Sequence, residues 1–285
     1  MRSTLKSISL KLAFTLVMMA TSVQSFAQSP LTIYFYNPEI NINRNSILKH
    51  KFDQFLATFG NYQFQPVSDQ ATFEHLVRTE NQALFMMSSW LFHSFRKELT
   101  LEAQLVGMKN GSIYYKKLLV LNKATPITDW ANITIASAGT KKYSLAVLKG
   151  MQSSHKLSNI HADQLLIVPK DVDALLAVGF GMAQGALSTE DSFDQLKTLY
   201  QNQYDQLTVV GRSQVFPRLT VVASNKPSKH QEKLITLINQ MSETPSGKIP
   251  LSILGLDNWK HIDNADTFYQ SGLQISQGLR EGRKP

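Results

Sequence analysis

The sequence predicts an α/β protein of two lobes, and three observations carry that expectation. Short β-rich apolar runs alternate with amphipathic helical stretches, which argues for βαβ units and parallel sheets covered on both faces. The chain has 285 residues, and the 258 beyond residue 27 are generous for one open sheet and comfortable for two lobes. Residues 76–84 can also be laid over residues 178–186. Each stretch is a helix end, a tight turn, a glutamine (Gln82 and Gln184) and a small-residue strand.

The elements follow in order. Residues 31–36 form a β-rich run ended by Asn37-Pro38, and residues 47–59 place Ile47, Leu48, Phe52, Phe55, Leu56 and Phe59 on one helical face before Gly60 stops the helix. Residues 83–87 and 118–121 are apolar runs of the buried-strand type. Residues 133–136 lead into a helix over 143–151, and residues 165–168 lead into a helix over 172–178.

Residues 1–27 read as an export signal. Arg2, Lys6 and Lys11 form a positive start, residues 12–20 a short apolar run, and Ser25-Phe26-Ala27 a small-x-small cleavage site. Nine apolar residues are too few to cross a bilayer core, which takes about 20. The whole chain carries 29 Lys+Arg against 21 Asp+Glu, or +8, and cleavage after Ala27 leaves 26 against 21, or +5. No later stretch has the 18 uncharged apolar residues of a membrane span, so a periplasmic protein that is not membrane-embedded is expected.

Composition narrows the chemistry. With no cysteine there is no disulfide scaffold, Cys-based metal site, thiol nucleophile or lipid-accepting cysteine. The seven histidines, at 50, 75, 93, 155, 161, 230 and 261, show no H-E-x-x-H or H-x-H spacing, and Walker and Gly-x-Ser-x-Gly motifs are absent. The expectation is a protein that is not an enzyme, with no cofactor and no metal. Dispersed basic residues and an export signal likewise argue against a nucleic-acid partner.

Four segments carry a resemblance to a known family. Residues 177–186, Ala-Val-Gly-Phe-Gly-Met-Ala-Gln-Gly-Ala, resemble the "AVLNGEADAGA" signature of the PhnD-like phosphate/phosphite/phosphonate substrate-binding proteins of ABC transporters. Residues 111–121 resemble that family's "g-x-x-Y-R-S-V-L-V-V" segment and residues 126–130 its step into the second lobe. Residues 216–222 resemble its return to the first lobe. The resemblance implies a type 2 periplasmic-binding fold, in which two α/β lobes joined by two crossing strands close on a ligand by hinge motion. Residues 31–118 plus 217–285 would form the first lobe and residues 119–216 the second, with crossings at 115–121 and 209–222. A monomer is also implied.

Ligands of open α/β sheets sit beyond the carboxyl ends of strands, so the loops after the strands are the expected site. After the first strand come Tyr36 and Asn37. After the third come Ser88, Ser89 and Trp90, whose hydroxyls and helix-start N–H groups suit an oxyanion, although Ser at a helix start is more commonly a cap. A third loop, residues 137–144, stands where the family has its "G-S-T-S-G" anion-binding turn. There Gly139 permits close approach and Thr140, Lys141 and Ser144 add donors. By position in the resemblance, Tyr115, Asp171 and Gln184 complete the expected ligand contacts.

The departures from the family pattern matter as well. Gln82 and Gln184 replace the acid of the "G-E-x-D" turn in each lobe, Val168-Pro169-Lys170-Asp171 lacks the histidine of "S-G-S-H-D", and Met86-Met87-Ser88 replaces "L-G-P". Two functions are therefore expected from the sequence. The first is capture of a small anionic solute, phosphonate- or phosphate-like, for an ABC permease. The second is a periplasmic ligand sensor that regulates a membrane histidine kinase or similar partner through the same clamshell.

Overall fold

The computed structural model describes residues 29–39, 45–95, 99–124, 130–151 and 157–262. The export-signal segment, residues 126–129 of the expected step into the second lobe and residues 263–285 of the expected first lobe lie outside the described residues. Among the described residues no helix is long and apolar enough to cross a membrane.

Two sheets organise the chain. The first contains β1 (Leu31–Tyr36), β2 (Tyr62–Pro66), β3 (Leu84–Met87), β4 (Leu101–Met108), β12 (Thr220–Ser224) and β13 (Asn258–His261), in the order β13-β4-β12-β3-β1-β2. The second contains β6 (Lys117–Asn122), β7 (Ile135–Ser137), β8 (Leu165–Ile167), β9 (Gly185–Thr189) and β10 (Leu207–Arg212), in the order β10-β6-β9-β7-β8. Between them lies a two-stranded antiparallel ribbon of β5 (Tyr114–Tyr115) and β11 (Phe216–Pro217), which pairs Phe216 with Tyr115.

The helices are α1 (Asn45–Leu56), α2 (Gln70–Thr79) and α3 (Ser89–Phe95) in the first part of the chain. Next come α4 (Lys141–Gly150), α5 (Asp171–Gly179), α6 (Glu190–Leu199) and α7 (Gln201–Asp205) beside the second sheet. Finally α8 (Lys229–Asn239) and α9 (Pro245–Ile253) return to the first sheet.

The period of two along each strand explains why the strand runs are apolar throughout. Leu31, Ile33 and Phe35 of β1 face one core with α1, α8 and α9, while Tyr34 and Tyr36 face a second core with α2 and α3. β3 divides the same way, with Leu84 and Met86 on one side and Phe85 and Met87 on the other. In the second sheet Leu119 and Leu121 face the α4 side, and Leu118 and Val120 face α5 and α6. Every central strand is thus covered twice, which requires side chains that are apolar at both parities.

The sheets are mixed, where the alternating pattern predicts parallel ones. β1 runs parallel to β2 and β3, but β12 enters antiparallel to β3 and β4. In the second sheet β6 is antiparallel to both β9 and β10, while β7 is parallel to β8 and β9. The cause is the crossing. β6 and β12 each enter a sheet from the ribbon instead of through a local βαβ turn, so the right-handed crossover constraint does not set their direction.

Helix α1 starts two residues before the predicted stretch and ends at Leu56, so Phe59 packs against the core from the turn beyond it, and the first predicted face residue faces solvent. Leu48, Phe52, Phe55 and Leu56 are buried, whereas Ile47 is 56% exposed because it sits one residue off the inward face. Phe52 stacks on Phe64 of β2 with ring centroids 4.1 Å apart, which anchors the helix to the sheet edge.

Candidate functional site

The carboxyl ends of β1, β7, β8 and β9 converge on one cleft beside the ribbon. The cleft has a volume of about 290 Å³, and its polar lining includes Asn37, Glu39, Tyr115, Lys117, Asp171 and Arg218. This is where open α/β topology puts ligands, because strand ends and helix starts leave backbone donors unpaired there.

The cleft is built around a lysine inside a strand. Lys117 opens β6, and its side chain is 2% exposed. Its Nζ donates to Asp171 Oδ1 at 2.8 Å, and Asp171 is the first residue of α5. A buried ammonium needs such a partner, and a carboxylate in the first helical turn is itself favoured by the helix dipole. Ser188 Oγ donates to the Asp171 carbonyl and ties β9 to the same helix start.

Glu39 and two tyrosines form a second group. Tyr115 Oη donates to Glu39 Oε2 at 2.5 Å and lies 3.2 Å from Tyr143 Oη. The chain of contacts runs from the loop after β1, through the ribbon, to α4 beside the second sheet. Burial pushes the Glu39 carboxyl up to about 7. Lys117, the Tyr115 hydrogen bond and Arg218 oppose that shift, and Asp171 reinforces it. Burial, followed by the Glu39 charge, holds both the Tyr115 and the Tyr143 hydroxyl well above the usual 10.

A third group joins the two sides. Arg218 follows β11, and its Nη2 donates to Asp191 Oδ2 at 2.7 Å while Nε donates to the Ser112 carbonyl at 3.1 Å. The guanidinium also stands 5.7 Å from the Tyr115 ring centroid. Lys109, just past β4, reaches the same Asp191 oxygen at 3.9 Å. Asp191 lies in the first turn of α6, whose N-cap Thr189 accepts from Ser192 N–H.

Of the expected ligand contacts, three line this cleft: Asn37, Tyr115 and Asp171. The others stand elsewhere. Tyr36 is buried against Phe73 at 5.6 Å and closes the core. Ser88 is a helix cap that accepts from Leu91 N–H, and Ser89 is buried and donates to the Pro217 carbonyl at 2.5 Å. Trp90 packs edge-on to Tyr143 with centroids 5.5 Å apart, and it touches the cores of both lobes.

The third loop spends its donors internally. Thr140 N–H bonds the Pro38 carbonyl at 2.7 Å, and the Thr140 hydroxyl caps α4. Gly139 packs against Pro38 and Tyr143, Lys141 is exposed, and Ser144 is fully buried with its Oγ 2.7 Å from that of Ser137. Gln184 is at the opposite end of the sheet. It precedes β9 and accepts from Thr134 N–H, so it lies at the amino end of its strand.

Sequence reasoning missed Glu39, Lys117, Asp191 and Arg218. Lys117 left a signal, since a lysine opening an apolar strand run needs a buried partner. Glu39 and Asp191 also left one, because each follows a strand end by two or three residues.

The chain matches the sequence profile of the family described as ABC transporter, phosphonate, periplasmic substrate-binding protein over residues 60–267. Among solved structures it is similar to a binding protein component of an ABC phosphonate transporter from Pseudomonas aeruginosa. That match has a TM-score of 0.61 and 16% identity over 87% of each chain. It is also similar to PhnD1 from Prochlorococcus marinus in complex with methylphosphonate, with a TM-score of 0.58 and 12% identity over 88% of this chain and 98% of that one. A Xanthomonas citri protein bound to ATP matches at a TM-score of 0.59 and 13% identity, over 89% of this chain and 98% of that one. No curated protein matches the sequence. These likenesses give the fold as the two-lobed type 2 periplasmic-binding arrangement.

Proposed function

The chain belongs to the periplasmic substrate-binding family of phosphonate ABC transporters, whose members bind solute and are not enzymes, and from that premise we propose that it captures a small oxyanion between its lobes for a membrane permease. The lobes would be residues 31–118 plus 217–285 and residues 119–216, with the β5–β11 ribbon as hinge. The observation that carries the oxyanion is the placement of Lys117 and Arg218 at one cleft. Both are largely withdrawn from water, with side chains 2% and 10% exposed. Each is paired with a carboxylate, Asp171 or Asp191, so an oxyanion would gain from them by sharing or displacing that partner, in a low-dielectric cleft where the attraction far exceeds that of solvated surface lysines.

Ser192 lines the same cleft, and its hydroxyl, which accepts from Thr189 Oγ1, has its own hydrogen to donate to a phosphonate or phosphate oxygen. Asn37, Glu39 and Asp171 complete the proposed lining, with carboxylates that select against ligands too bulky or too highly charged to share the space. The proposed location is the periplasm, after removal of residues 1–27.

A thermal-shift screen with phosphate, methylphosphonate, sulfate and uncharged controls tests the reading. A true ligand at 100 times its dissociation constant adds about 2.7 kcal/mol of stability. Stabilisation by an oxyanion and not by uncharged solutes supports the proposal, and stabilisation by uncharged solutes alone contradicts it.

A further inference from the structure

Four cations (Lys109, Lys117, Lys170 and Arg218) and three carboxylates line the cleft, and one of the carboxylates is placed unlike the other two. Asp171 pairs with Lys117 beside it on the second sheet, and Glu39 is held by the Tyr115 hydroxyl. Asp191 reaches across the cleft. It stands on α6, which follows β9 of the second sheet, and it accepts from Arg218 between β11 and β12 and forms an ion pair at 3.9 Å with Lys109, just past β4. Both cations therefore come from the first-sheet side, and both spend their charge on one carboxylate of the other lobe.

That carboxylate makes with Arg218 and Lys109 the contacts a free oxyanion would make with them. It is 21% exposed, it lies against a guanidinium that is 10% exposed, and it shares the cleft lining with Thr189, Ser192 and Tyr115. The first turn of a ten-residue helix, capped by Thr189, favours negative charge at that spot whether the anion is tethered or free. An incoming anion and Asp191 would compete for Arg218, because two anions a few ångströms apart in a poorly solvated cleft repel each other.

We propose that Asp191 is a tethered internal anion. It bridges the lobes through Arg218 and Lys109 and competes with solute for those cations, so it sets both the resting closure of the clamshell and the threshold for anion binding. The ligand half of this inference rests on the oxyanion reading given above, and the bridging half does not.

The experiment compares the whole protein with its Asp191→Asn variant, which keeps the shape of the side chain and removes its charge. In X-ray scattering without added solute, the variant is expected to have a larger radius of gyration than the wild type. Arg218→Gln, which removes the other half of the bridge, is expected to expand the protein in the same way. Identical profiles for all three proteins would overturn the bridge. In calorimetry with inorganic phosphate as the probe, Asp191→Asn is expected to bind about tenfold more tightly, because a competitor has been removed. Equal or weaker phosphate binding by the variant would overturn the competition. Phosphate binding by neither protein would instead remove phosphate from the oxyanion reading, and the scattering comparison would still decide on the bridge.

Discussion

Thr140 donates its backbone N–H to the carbonyl oxygen of Pro38 at 2.7 Å, so the loop after β1 of the first sheet touches the start of α4 beside the second. Gly139 makes that approach sterically feasible. A Cβ at position 139 would stand 3.1 Å from the Pro38 oxygen and 2.7 Å from Tyr143 Cδ1. Gly139→Ala is therefore expected to push the lobes apart and lower stability by about 1–3 kcal/mol, as overpacking does. Chemical denaturation and scattering together check this, and a variant with unchanged stability and radius of gyration would show that the contact is dispensable.

Glu39 predicts a specific pH dependence. Its folded value is about 7 against an ordinary 4.5, so the native state holds a proton that the unfolded state releases between those values. The corresponding stability is complete below pH 4.5 and is lost as pH rises through 7. A shift of that size amounts to about 3 kcal/mol for a fully desolvated group, and water entering the cleft reduces it. Glu39→Gln should match the wild type near pH 4.5 and become the more stable protein near pH 8. Denaturant melts at the two pH values measure the difference, and a constant gap between the proteins would refute the burial argument.

The Lys117–Asp171 pair should behave as a buried pair. Lys117→Ala leaves Asp171 without its partner, and a loss of about 3 kcal/mol is expected, at the low end for broken buried pairs because Asp171 keeps some solvent. Replacing both residues, as Lys117→Met with Asp171→Leu, should restore most of that stability while abolishing oxyanion binding. A double-mutant cycle in urea checks the coupling, and additive single losses would argue against it.

Thr140 and Ser144 are expected to affect stability more than affinity. Thr140→Ala removes the α4 cap and should cost about 1 kcal/mol. Ser144→Ala leaves Ser137 Oγ without its partner and should cost a similar amount, about 1 kcal/mol. Calorimetry of both variants with a stabilising oxyanion should return wild-type affinity, and a tenfold or greater loss would return this loop to the binding surface.

How much of this was legible in the sequence depends on the kind of interaction. Strands such as Leu31–Tyr36 and Leu84–Met87 were legible because burial on both faces demands an unbroken apolar run, and α1 was legible because Leu48, Phe52, Phe55 and Leu56 repeat at helical spacing. Sheet direction was not, since β12 joins the first sheet by way of the ribbon and no local pattern encodes that entry. Of the residues expected from strand ends and position, Asn37, Tyr115 and Asp171 line the cleft. The hydroxyls of Ser88, Ser89 and Ser144 bond within the protein, which the sequence does not reveal, because a serine at a helix start reads the same whether its hydroxyl faces a ligand or its own chain. Arg218 and Asp191 are 27 residues apart, and only the folded arrangement brings them together.

Isothermal titration of the purified protein with phosphate and methylphosphonate, run beside Arg218→Gln, tests the oxyanion cleft most directly. The expected result is saturable one-to-one binding of an oxyanion by the wild type and a loss of at least about tenfold in affinity when the guanidinium is removed. An oxyanion bound equally well by both proteins, or bound by neither, would contradict the account.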